Sequence, residues 1–295
     1  MGDKHYKLQR MVKLEEINTR PNFSSQLENK ILYATHQQNT SITYQSTYTL
    51  KYVLEGTKYY HFGSQRVEVR PHQYLILNND QSICSEAEKG TKGLSFFLSP
   101  ELINDIYGHY SQVNAPLEFF EFAQTNSNDE LGQWLQRIIW LYEQEPFTFR
   151  HQMDDLFLKL SEAIVQERIN LYDGFKTLKI VKYYTQKELY KLISLAKEYL
   201  HDNIHQAIDL DILGQNIGVS KYYLHRLFTK ITGSTPLKYL TQIRLKKAKD
   251  QLKYSQDPIF DIAIACGFES LSYFSIIFKK HVGVSPSQYR KSARF

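Results

Sequence analysis

Between Ile42 and Leu98 the apolar residues fall in short runs rich in Tyr, Val, Ile, Leu and Phe, each closed by turn-forming residues. The runs Tyr48 to Leu54, Tyr59 to Phe62, Arg66 to Val69, Tyr74 to Leu77 and Leu94 to Leu98 are punctuated by Glu55-Gly56, Gly63-Ser64, Pro71-His72 and Asn78-Asn79-Asp80. Short strands at such regular spacing predict a sandwich or barrel. From Asp129 the apolar period lengthens to about 3.6 residues. Leu131, Leu135, Ile138, Ile139 and Tyr142 recur at helical spacing, as do Met153, Leu156, Phe157, Leu160 and Ile164. Two amphipathic helices therefore follow the strands, and their apolar stripes must pack on the sheet or on a second copy. Residues 171–186 are rich in Lys and Tyr, contain Gly174 and have weak periodicity, which predicts a linker. A second domain then runs over 187–295.

That second domain contains a duplication with a period of about fifty residues. Ile217-Gly218-Val219-Ser220 with Phe228 returns as Cys266-Gly267-Phe268-Glu269 with Phe278, and Gly233-Ser234-Thr235-Pro236 with Tyr239 returns as Gly283-Val284-Ser285-Pro286 with Tyr289. Each copy has the order that a helix-turn-helix needs. A short apolar helix (Leu210, Leu213, Ile217, or Ile259, Ile262, Ala263, Cys266) stops at a glycine free to take positive φ. Val219 or Phe268 then plugs the core, and Ser220 or Ser270 is placed to cap the next helix. Leu224, Leu227 and Phe228, or Phe274, Ile277 and Phe278, supply that helix's buried face. Between the copies Leu240, Ile243, Leu245, Ala248 and Leu252 predict a connecting helix, which also carries the basic run Arg244, Lys246, Lys247 and Lys249.

Charge sharpens this division. The net charge is +5, but residues 190–295 hold 16 of the 36 basic and only 8 of the 31 acidic residues, so +8 there faces −3 in the rest. A polyanionic partner for the C-terminal part follows. Hydrophobic content of 42% with 23% charged residues suits a globular chain, and no apolar run reaches the roughly eighteen residues of a membrane span. Met1-Gly2-Asp3-Lys4-His5-Tyr6 has neither a signal-peptide stretch nor the Ser or Thr of a myristoylation signal, so a cytoplasmic, nucleoid-associated protein is expected. Cys84 and Cys266 are too far apart for a metal-binding pair and read as reduced, buried thiols.

From Glu188 to Lys291 the chain resembles the DNA-binding domain of the AraC/XylS family, chiefly in Leu210 to Ser220, Leu224 to Phe228, and Asp261 to Arg290. The resemblance implies an α+β protein: an N-terminal cupin-like β-barrel or sandwich with helices over 1–170, then an all-α domain of two helix-turn-helix units joined by a linker helix. It assigns Tyr222, His225 and Arg226 as base-facing positions of the first unit, where Arg226 could pair with guanine O6 and N7. The matching surface of the second unit is Leu271, Ser272, Ser275 and Ile276. The family often has arginine where Ile276 stands, which points that helix toward apolar or phosphate contacts. Lys221, Lys230, Lys279 and Lys280 suit phosphates. Gly214 replaces a usual alanine, at about 1 kcal/mol in helix propensity.

By the same resemblance the N-terminal domain senses a small-molecule effector and dimerises, with Met153 to Ile164 as the dimerisation helix, and the regulator recruits RNA polymerase at a promoter or operator, more often as activator than repressor. Tyr48, Tyr52, Tyr60, Phe62 and Tyr74 are rings that could line an effector pocket or simply form core. His61 and His72 stand apart, without the clustered histidines of a cupin metal site, so no metal, no cofactor and no catalytic residue are expected and the chain reads as a non-enzyme. The alternative is an effector-independent DNA-binding protein whose N-terminal domain only dimerises or binds a protein partner.

Overall fold

The computed structural model describes residues 12–17, 28–111, 117–125 and 130–292. Met1 to Tyr6, read above for a targeting signal, and Asp129 lie outside the described residues. Two compact units divide the chain, 1–170 and 171–295. Among the described residues no helix is long and apolar enough to cross a membrane.

Unit 1 is built from β1 (Lys13–Ile17), β2 (Lys30–Thr35), β3 (Thr40–Gln45), β4 (Tyr48–Glu55), β5 (Lys58–Phe62), β6 (Gln65–Val69), β7 (Gln73–Leu77), β8 (Ser82–Ala87) and β9 (Lys92–Leu98). These are followed by α1 (Pro100–Tyr110), the short β10 (Gln124–Thr125), α2 (Glu130–Gln144) and α3 (Pro146–Thr177). One sheet has the order β1-β2-β9-β4-β7-β10 and the other β3-β8-β5-β6. The predicted strands from Tyr48 onward match β4, β5, β6, β7 and β9. The strand pattern was read only from Ile42 onward, so β1 and the largely apolar β2 lie before it, and β3 and β8 were passed over because Ser, Thr, Gln and Glu interrupt their apolar residues. The sequence reading also passed over α1, whose Ser99 cap accepts from the Leu102 N–H and whose Pro100 starts the helix.

Strand alternation sorts side chains between two cores. Ile42, Tyr44, Val53, Tyr60, Phe62, Leu75, Leu77 and Ile83 fill the space between the sheets. Tyr48, Leu50 and Tyr52 of β4 turn the other way, where they join Leu131, Leu135, Ile138, Leu156, Phe157, Leu160 and Ile164 in a second core. Two alternatives left open by the sequence are decided as a result. Of the two partners open to the apolar stripe from Met153 to Ile164, the sheet or a second copy, it packs on the chain's own sheet. Tyr48, Tyr52 and Tyr74 belong to the sheet–helix core and not to the barrel interior, where only Tyr60 and Phe62 of the five rings lie. Tyr48 Oη donates to the Leu117 carbonyl at 3.0 Å, which satisfies the hydroxyl away from that interior.

Unit 2 comprises the end of α3, then α4 (Tyr183–Asp202), α5 (Leu210–Ile217), α6 (Lys221–Thr232), α7 (Pro236–Tyr254), α8 (Ile259–Ala265), α9 (Leu271–Val282) and α10 (Pro286–Ser292). The 171–186 linker is corrected: 171–177 are the last turns of α3, and only 178–182 precede α4. Gly174, read as part of that linker, is instead a close-packing residue. A Cβ there would sit 3.1 Å from both the Ile231 Cα and the Lys230 carbonyl oxygen. The neighbouring Phe175 is fully buried. Cys266 is buried, with its thiol pushed up to about 11 by burial, while Cys84 is only half-buried.

Candidate nucleic-acid interface

Each helix-turn-helix is held by the local chemistry of its turn. In the first, Asp209 accepts from the Ile212 N–H at 2.8 Å to start α5, and Gly218 ends it at φ +79°. The turn then folds back so tightly that a Cβ on Gly214 would meet the Val219 carbonyl oxygen at 2.8 Å. That contact corrects the view of Gly214 as a mere propensity loss, because the glycine is what lets α5 approach the turn. Ser220 Oγ accepts from the Tyr223 N–H at 3.3 Å, and Ser270 Oγ from the Tyr273 N–H at 3.2 Å, so α6 and α9 begin on equivalent caps. Leu224, Leu227, Phe228 and Ile231 anchor α6, while Phe274 and Phe278 anchor α9 beside Phe268.

Between the two units α7 is capped by Thr235 and begins at Pro236. Tyr239 sits edge-on to Phe228, 5.6 Å between centroids, while Leu245, Ala248 and Leu252 join the core of the second unit. One helix thus serves both cores, which sets the spacing of α6 and α9. Arg244, part of the basic run on α7, is committed to this framework. Its Nε donates to the Ile204 carbonyl at 2.7 Å and its Nη2 to the Gln206 carbonyl.

With those faces buried, α6 leaves Tyr222, Tyr223, Arg226 and Lys230 exposed and His225 half-buried. Tyr222 is 79% exposed, a large ring left in water at the start of the helix. Arg226 lies four residues on, hence on the same face. Lys221 is only half-exposed and pairs with Asp211 Oδ2 at 2.7 Å; that bond raises the pKa of the ammonium. On α9, Leu271, Ser272, Tyr273, Ile276, Lys279 and Lys280 are exposed and Ser275 is half-buried. Ile276, 66% exposed, takes the position of Arg226 fifty residues earlier. The sequence reading missed Tyr223 and Tyr273, exposed at 45% and 52%. The signal was available: both fall off the apolar stripe that starts one residue later at Leu224 and Phe274.

Among the described residues no group of His, Cys, Asp or Glu is arranged to hold a metal ion. His61 pairs with Glu86 at 3.2 Å, and His72 Nδ1 lies 3.4 Å from Tyr52 Oη.

Residues 27–150 match the family model described as the AraC-type transcriptional regulator N-terminus, and residues 213–292 match a helix-turn-helix domain model. The HTH-type transcriptional activator RhaS of Yersinia pestis bv. Antiqua is 31% identical over 219 residues, covering 73% of this chain and 70% of that protein. The regulatory protein SoxS of Salmonella typhimurium is 35% identical over 100 residues, 34% of this chain and 94% of its own length. The C-terminal domain of AraT from Geobacillus stearothermophilus is 34% identical over 34% of this chain and 84% of that one, with a TM-score of 0.34. The chain belongs to the AraC/XylS family and is a DNA-binding transcription regulator.

Proposed function

We propose that this regulator is an effector-responsive transcription activator that binds a promoter as a homodimer, with 187–295 contacting DNA and 1–170 sensing the effector and dimerising. The observation that carries it is the pair of equivalent, exposed helix faces on α6 and α9 that one rigid helix spaces. Tyr222, His225 and Arg226 read bases in one major groove, with Arg226 bidentate to a guanine. Leu271, Ser272, Ser275 and Ile276 meet the next groove through apolar and phosphate contacts. Lys221, Lys230 and Lys279 serve phosphates, and Lys221 exchanges its Asp211 partner for one.

Activation is supported by a relative over most of this chain that is named a transcriptional activator, and RNA polymerase is the partner this reading assigns to it. The protein acts in the cytoplasm at the nucleoid, and catalysis plays no part. Effector binding shifts the balance between conformations of differing DNA affinity.

Selection of bound sequences from random DNA by the full-length protein, at fixed salt, tests the DNA reading. Two enriched elements about 10 base pairs apart are expected, one for each helix-turn-helix. A single element would assign α9 to the backbone, and no enrichment with or without candidate effectors would overturn sequence-specific regulation.

A further inference from the structure

The interior between the two sheets of unit 1 is apolar at one end and cationic at the other. Lys51 of β4 has the alternation of Val53, which lies in the inter-sheet core, and Lys58 of β5 that of Tyr60 and Phe62. They are only 3% and 6% exposed. Among the described residues neither ammonium has an ion-pair or hydrogen-bond partner. The Lys51 ammonium rests instead on two rings, 4.3 Å from the Phe97 centroid and 5.2 Å from that of Tyr44 on the opposite sheet. Lys30 adds a third cation, 5.2 Å from the same Phe97 ring and 3.2 Å from Glu15. Register explains the grouping. Across β2-β9-β4, Lys30–Phe97–Thr49 forms one row and Leu32–Ser95–Lys51 the next, while Lys58–Ala87–Thr40 is a row of the facing sheet.

Burying an ammonium with no counter-charge is strongly unfavourable, and buried lysines are almost always paired. Ring faces compensate only in part. Lys58 and Lys30 each push the Lys51 pKa further down beyond the effect of burial, so these cations burden one another. A site of this kind gains most from a ligand that brings the missing negative charge.

Resting on the effector-responsive reading above, we propose that the effector is a small organic anion, a carboxylate or phosphate ester, whose charged group sits between Lys51 and Lys58 inside the barrel. The ammoniums then leave the aromatic faces for the anion, and the rings of Phe97, Tyr44 and Tyr60 with the Ser95 hydroxyl bound the rest of the molecule.

The test is thermal unfolding of the full-length protein titrated at constant ionic strength with inorganic phosphate, citrate, benzoate and glucose 6-phosphate, against neutral glucose and glycerol. Lys51→Met and Lys58→Met keep the aliphatic stem and remove the buried charge, and the melting temperature of each without ligand reports whether it folds. At least one anion is expected to raise the melting temperature saturably, with affinity falling roughly a hundredfold in either variant, because the bound anion loses a buried partner. No saturable shift with any anion, or an equal shift in wild type and both variants, overturns the proposal; the latter places the anion on the basic helices of unit 2. A neutral compound that binds wild type and Lys51→Met alike and alters DNA affinity would keep the effector reading and sink the anionic class. DNA affinity indifferent to every compound would sink both.

Discussion

Arg226 and Ile276 stand at the same point of α6 and α9, the sixth residue of each helix, and both side chains are exposed. The duplicated framework therefore presents a guanidinium to DNA in one copy and a hydrocarbon in the other. Arg226→Ala is expected to weaken binding to the selected site by about 1–3 kcal/mol and to relax base preference at one position. Lys230→Ala should weaken all sequences equally and reduce the salt slope by about one. Binding isotherms at several salt concentrations separate the two; equal loss on all sequences for Arg226→Ala would remove its base-reading role.

Helix propensity favours alanine over glycine at position 214 by about 1 kcal/mol. Contact with the Val219 carbonyl oxygen reverses the sign. Gly214→Ala should destabilise unit 2 by roughly 1–3 kcal/mol, since the backbone of the turn must shift to admit the methyl group. Urea unfolding followed by helix content measures it, and a stabilised variant would refute the close approach.

His36 is buried, shares its Nδ1 with Thr40 Oγ1 at 2.9 Å, and has its pKa lowered to about 4, first by burial and then by the nearby Lys58 charge. The folded state holds the neutral ring. Its stabilising effect is complete above the unfolded value of 6.5 and is lost as pH falls from there toward 4. Between pH 7 and 5 the loss is at most about 2 kcal/mol. His36→Gln should flatten that part of the stability profile, and an unchanged slope in the variant would exclude His36 as its source.

Burial lowers the pKa of Lys58 from 10.5 to about 8. The unfolded chain then binds more protons between those values, so stability without ligand rises with pH from about 8 to 10.5. Lys58→Met should remove that rise and stabilise the unliganded protein at pH 7 by up to roughly 3 kcal/mol. Denaturant midpoints at pH 7 and 9 decide it: a destabilised Lys58→Met would mean the ammonium is already neutralised.

The double helix-turn-helix was legible because it is written locally. Caps such as Ser220 and Ser270, stop glycines such as Gly218 and the apolar stripe from Leu224 to Ile231 act within a few residues of one another, and the repeat states the pattern twice. The same stripe leaves Arg226 and Ile276 on its exposed complement, while the resemblance to the family singled them out as DNA-facing. Tertiary structure decided what depends on partners distant in sequence. Gly174 reads as a linker residue until the backbone of Ile231 lies against it, and Gly214 as a weak helix former until Val219 folds back over it. The stripe from Met153 to Ile164 has no orientation until a sheet from the first hundred residues covers it. Lys51 reads as an ordinary strand lysine among tyrosines. Only the pairing of β9 beside β4, and the closing of β3 and β5 over them, encloses its charge with Lys58 between the sheets, because strand register is set by contacts that no local pattern contains.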